Sequence, residues 1–213
     1  PAAEVAPAVR AALALLPVRP AQIDAVAATV ARLAPGARLR QVGVMVPRVP
    51  CMVRLVLDAV PEGDLRGHLG AIGWPGDGAA VDQLVAHPAF AGASLRADLD
   101  VSDRLEPALG VELPMIGMAP DRIRATLGAL AADGSITVQA ASALAGLATP
   151  MRLRLSPQEF PAPGLAGGIE LRLNHFKAQL DAQGGFSVKA YLSVVAPPRF
   201  PSQAPDAASA AET

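Results

Sequence analysis

Three times along this chain, apolar residues at helical spacing give way to runs in which hydrophobic and polar residues alternate, and this recurring change of period limits the fold more than any single motif. Behind Pro20, residues Ile23, Val26, Val30 and Leu33 share one helical face, after an earlier helical stretch over 5–16. Pro35-Gly36 ends the pattern. From Leu39 the period becomes two: Val42, Val44 and Val46 lead to an expected turn at 47–50, and Val53, Leu55 and Leu57 return between Arg54, Val56 and Asp58. Helical signals at 62–72 and 79–86 flank a Gly-Trp-Pro-Gly loop at 73–78.

The same order then recurs. Leu95, Leu99 and Val101 alternate with Arg96, Asp98 and Asp100, and a return strand is expected over 109–113. Pro120 opens a helix to residue 130, Asp133-Gly134 breaks it, and Ser135 is placed to cap a second helix to 147. Met151, Leu153 and Leu155 next alternate with Arg152, Arg154 and Ser156. A Pro/Gly-rich loop over 157–168 leads to a long strand over 169–180, a turn at Gly184-Gly185 and a return strand over 186–195.

These signals define one α+β domain over 1–196. It comprises a helical hairpin (1–36), a first unit (37–92), a second unit (93–150), final strands (151–196) and an Ala/Ser/Pro-rich tail at 197–213 expected to be disordered. The expected architecture is an antiparallel sheet of about six strands, strongly curved or barrel-like, built from repeated helix and strand pairs with the helices on one face.

Composition excludes several classes of function. With 18 basic against 19 acidic side chains, a net charge of −1 does not suit phosphate-backbone binding, so no nucleic-acid partner is expected. Hydrophobic residues at 52% supply a core, and the single Cys51 cannot form an intramolecular disulfide. His68, His87 and His175 lie far apart, and Asp98, Asp100 and Asp103 lack calcium-loop spacing, so no metal is expected. The glycine-rich loop at 73–78 contains Pro75 and no following Lys-Ser/Thr, which argues for a turn over a phosphate loop. The longest uncharged run, 134–151, is too polar to cross a bilayer; the reading is a soluble, cytoplasmic protein with no membrane partner. Trp74, the only indole, is either a core plug or an anchor for a partner.

Alternation along strands sorts side chains into two faces. Leu55 and Leu57, Leu95 and Leu99, Leu153 and Leu155, Leu171 and Leu173, and Ala190 and Leu192 form an aliphatic face for the helices to cover. The other face carries Arg54, Asp58, Arg96, Asp98, Asp100, Arg152, Arg154, Glu170, Arg172, Asn174, Lys189 and Tyr191. Asn174 and His175 are expected on opposite sides of their strand. Such a face is either washed by solvent or, if the sheet curls round it, the lining of a lumen suited to an anionic ligand.

The segment Phe186-Ser187-Val188-Lys189-Ala190-Tyr191-Leu192 resembles the Lys-x-Tyr strand of ABBA-type prenyltransferases, whose barrels are built from helix–strand–strand–helix units. The family includes aromatic and peptide prenyltransferases. The resemblance implies that Lys189 and Tyr191 hold the diphosphate of an allylic co-substrate, without another cofactor. Arg54, Arg96, Arg152, Arg172 and Asn174, on comparable strands, join them as substrate-binding residues. Glu170, or alternatively Glu112, would accept the proton released by a small aromatic or peptide acceptor. The family has ten strands, and its aromatic rings shield an allylic cation, whereas aromatic content here is 3%. That scarcity favours a second expectation: a non-catalytic binding or scaffold protein that recognises a peptide or protein through its sheet, with a homo-oligomer among the partners to be considered.

Overall fold

The computed structural model describes residues 2–46, 51–61, 64–153, 169–181 and 186–195. Helices α1 (Ala2–Leu13) and α2 (Pro20–Ala31) precede strands β1 (Arg38–Met45) and β2 (Met52–Pro61). Helices α3 (Leu65–Ala71) and α4 (Gly78–Ala86) precede β3 (Ser94–Val101) and β4 (Leu105–Pro114). Then come α5 (Pro120–Ala132), α6 (Val138–Ala145), β5 (Met151–Leu153), β6 (Ile169–Leu180) and β7 (Phe186–Val195). The turns expected at 47–50 and Gly184-Gly185, the loop at 157–168, Arg154, Leu155 and the tail at 197–213 lie outside the described residues.

Local chemistry explains most boundaries. Pro20 and Pro120 occupy the first turns of α2 and α5, where their missing N–H is not needed. Asp77 caps α4 by accepting from the Ala79 N–H at 2.8 Å. Ser135 does not cap α6. The Asp133 carboxylate accepts from both the Ser135 N–H (2.9 Å) and hydroxyl (3.0 Å), so the helix starts later, behind Thr137, whose Oγ1 accepts from the Ala140 N–H. The first helix likewise lies earlier than its apolar spacing indicates: it includes Pro7 and ends at Leu13, leaving Leu15 and Leu16 exposed.

All seven strands are antiparallel and belong to one sheet. The order runs β1-β2-β3-β4-β6; β5 lies beside β6 next to β4, and β7 takes the far side of β6. The sheet is therefore one strand larger than the sequence reading, and it is open, not a closed barrel. Among the described residues, β1, β7 and the short β5 each have a strand on one side only.

One face of the sheet joins the helices in a single core. Leu55, Leu57, Leu95, Leu99, Val111 and Phe176 are buried with Val26, Val30, Leu69, Val81 and Leu127. Gln22 ties α2 to the strand ends, its Nε2 donating to the Cys51 carbonyl at 2.9 Å and the Val101 carbonyl at 3.0 Å. Trp74 packs partly buried on this core with its ring over Gly76, where a side chain would clash, which supports its role as a plug. Coverage fades toward β7. No residue of α6 is buried, and Met151, Leu192 and Val194 stay 44%, 48% and 62% exposed.

Candidate functional site

The charged residues of β2, β3, β4 and β6 project from the sheet face opposite the helices, yet they are far from solvent-washed. Asp98, Asp100 and Lys177 retain 5%, 6% and 4% of their surface. Ions this buried need partners, and the register supplies them. Glu112 of β4 stands opposite both Arg96 of β3 and Lys177 of β6. Lys177 forms a close ion pair with Asp98 Oδ2 and lies 3.8 Å from Glu112 Oε1. Arg54 forks onto Asp100, with Nε and Nη2 donating at 2.8 and 2.9 Å. Arg96 Nε donates to Asp58 Oδ1 at 2.9 Å, while Arg40 Nη1 reaches Asp58 Oδ2 at 3.0 Å.

A missing side chain makes room for this network. A Cβ on Gly110 would come within 2.5 Å of the Lys177 Cε and 3.0 Å of the Asp98 Cβ. Glycine in mid-strand usually weakens a sheet; here it lets the lysine lie flat across β4 to its aspartate.

The network shifts proton affinities. Burial, reinforced by the neighbouring Asp98 charge, raises Glu112 above the usual carboxylate range against the opposing pull of Lys177 and Arg96. Burial, with Lys177 and Arg96 nearby, lowers His175 below its ordinary value, so the ring is neutral at pH 7. Its Nε2 lies 3.5 Å from Glu112 Oε1, and its ring stacks on Tyr191 with centroids 4.4 Å apart. The hydrogen bond to Asp100 outweighs desolvation and raises Arg54. Burial pushes Asp58 up, but hydrogen bonds from Arg96 and Arg40 leave it below the usual range.

The structure brings Arg54, Arg96 and Glu112 into this network and puts Tyr191 beside it. Lys189 lies directly opposite Lys177, is exposed, and has no ion-pair partner among the described residues. Glu170 is already held by two arginines, 2.9 Å from Arg172 Nη2 and 3.7 Å from Arg152 Nε. Asn174 sits where the β6–β7 register shifts between Leu173 and His175, and its carbonyl accepts from the Met115 N–H at 2.8 Å. That bulge corrects the expected facing of His175. One extra residue reverses the alternation, bringing His175 and Lys177 onto the same face as Arg172.

Lys177 and His175 were the residues that strict alternation missed. Four buried polar atoms of this face also lack a hydrogen-bond partner: Asp98 Oδ1, Arg172 Nε, His175 Nδ1 and Ser193 Oγ. Arg172 and Ser193 are direct cross-strand partners, and His175 pairs with Tyr191 next to them. A cleft of about 480 Å3 meets the network at Asp58 and Arg96, bounded by Arg122, Ile116 and Met118.

Among the described residues, no His, Cys, Asp and Glu cluster is arranged to hold a metal ion, and no helix is long and apolar enough to cross a membrane. No family model, curated protein or solved structure matches the chain.

Proposed function

We propose that this chain is a non-catalytic binding protein that docks an extended partner segment along the open edge of β7. The observation carrying this reading is the character of that edge. Ten residues of strand have one side unpaired among the described residues, Lys189 is their only charge, and Leu192 and Val194 are about half exposed or more. The ion pairs point the same way. Arg54, Arg96, Arg172 and Lys177 each already face a carboxylate, so a diphosphate would have to displace it. In this reading the charged face holds neighbouring strands in register behind the docking edge.

The test is titration with synthetic ten-residue peptides of alternating apolar and polar residues, read by amide exchange. Protection should rise in β7 and not in β1, and Leu192→Lys should abolish it while Lys189→Ala leaves it. Unchanged β7 exchange with every peptide, and in the chain alone at all concentrations, would overturn the reading.

A second reading, prenyl transfer, is favoured by the unpaired Arg172 Nε, His175 Nδ1 and Ser193 Oγ beside Tyr191. A bond forms between the acceptor and the allylic carbon as the C–O bond breaks; diphosphate leaves with the electron pair toward Lys189 and Tyr191. The acceptor's proton passes to Glu112, whose contacts with Arg96 and Lys177, 3.9 and 3.8 Å, are looser than the 2.9 Å pairing of Glu170 with Arg172. Dimethylallyl or geranyl diphosphate should then raise the melting temperature, and Lys189→Ala should abolish the rise. Flat melting curves would remove this reading.

A further inference from the structure

We infer that the segment docking on β7 is β7 of a second copy, paired antiparallel about a twofold axis through Ala190. This rests on the reading of β7 as a docking edge and names its occupant.

The inference follows from pairing geometry. Directly opposed residues in an antiparallel pair point to the same face of the sheet. In β7, Lys189 and Tyr191 share the charged face, set by their partners Lys177 and His175, whereas Val188, Ala190 and Leu192 oppose the core-side residues Ala178, Phe176 and Leu173. A second β7 that continues both faces must therefore match odd with odd and even with even. The twofold axis then passes through a residue, not between two.

Near the middle of Phe186–Val195, three positions can lie on the axis. Lys189 would meet its own charge. Tyr191 would leave Lys189 opposite Ser193, away from the ring, and Phe186 opposite no residue of the partner's β7. Ala190, the smallest of the three, meets only another alanine, and every other pair is then complementary. Phe186 falls opposite the partner's Val194, Val188 opposite the partner's Leu192, Ser187 opposite the partner's Ser193, and Lys189 opposite the partner's Tyr191. The last pair sets a cation against an aromatic ring, twice by symmetry.

Exposure agrees with this arrangement. The apolar row includes Phe186, Leu192 and Val194 at 42%, 48% and 62% exposure, on the part of the sheet that the helices cover least. Pairing would make each row the cross-strand neighbour of its copy and satisfy the outward N–H and C=O groups of both edges.

The experiment combines sedimentation with cysteine cross-linking of the full chain carrying Cys51→Ser. The unsubstituted chain should sediment at twice its 21.7 kDa mass. Val194→Lys, at an exposed site, should sediment as a monomer that melts where the unsubstituted chain does once that chain is diluted to its own monomer. Ala190→Cys, whose α-carbons would lie about 4.5–5.5 Å apart across the axis, should oxidise to a disulfide-linked dimer faster than Lys189→Cys or Tyr191→Cys. A chain monomeric at every concentration, a dimer that survives Val194→Lys, or preferential cross-linking at 189 or 191 would overturn the inference. A monomer whose β7 is protected by an added unrelated peptide would overturn it while leaving the docking reading intact.

Discussion

The two long edge strands of the sheet, β1 and β7, are built differently. In β1 the pairing with β2 shifts between Leu39 and Gln41, with Arg40 at the shift and Arg38 just before it. Arg40 reaches in to Asp58, while Val42 and Val44 pack partly buried on the core. Irregularity and charge are what discourage a stray strand from adding to an edge. In β7 the register irregularity belongs to β6, the strand holds one charge, and much of its apolar row faces solvent. The docking proposed above uses the second of these edges, the regular and apolar one.

That contrast can be broken from the centre outward. Lys177→Ala should have the largest effect, about 3–5 kcal/mol in urea unfolding, because Asp98 is left buried with only the more distant Arg54, 3.8 Å away, to offset its charge. Gly110→Ala should cost about 1–3 kcal/mol by pushing the lysine off its aspartate. Val44→Lys, packed on the core in β1, should cost about 1–3 kcal/mol, whereas Val194→Lys, on the same face of the sheet but left exposed in β7, should stay within about 0.5 kcal/mol in the monomer. Equal losses at the two edges would remove the distinction between them.

Acidity should separate the edges more gently. Asp58 has a depressed folded pKa, so its contribution is present above the ordinary value near 3.8 and is lost as pH falls through the folded one. Because Asp58 anchors Arg40, amides of β1 should lose protection in that acid range, and Asp58→Asn should remove the dependence. Glu112 has the opposite sign. Its raised folded pKa makes its contribution greatest below the ordinary carboxylate value and declining as pH rises through the folded one, so Glu112→Gln should flatten stability above that range. Melting curves between pH 3 and 8 would check both slopes.

The order of helices and strands was legible because each element has its own period and its own stop signal, as Pro35-Gly36 after α2 and Asp133-Gly134 after α5 illustrate. The aliphatic face was legible for the same reason. What alternation could not reveal was the bulge at Asn174, since one inserted residue carries no signature of its own. A signal did exist beyond it: Phe176 and Ala178 are apolar while His175 and Lys177 are polar, the reverse of the Leu171–Arg172–Leu173 phase. Arg54 and Arg96 were found from their strand positions and Glu112 only as an alternative proton acceptor, and their mutual neutralisation depends on which strands adjoin. The pairing of β4 with β6, which brings Glu112 to Lys177, spans more than sixty residues of sequence.

The most direct measurement is amide hydrogen exchange of the isolated chain as a function of its own concentration. Protection at β7 should climb as concentration rises while β1 stays constant. Exchange at β7 that is independent of concentration, or protection gained at β1 instead, would contradict the account.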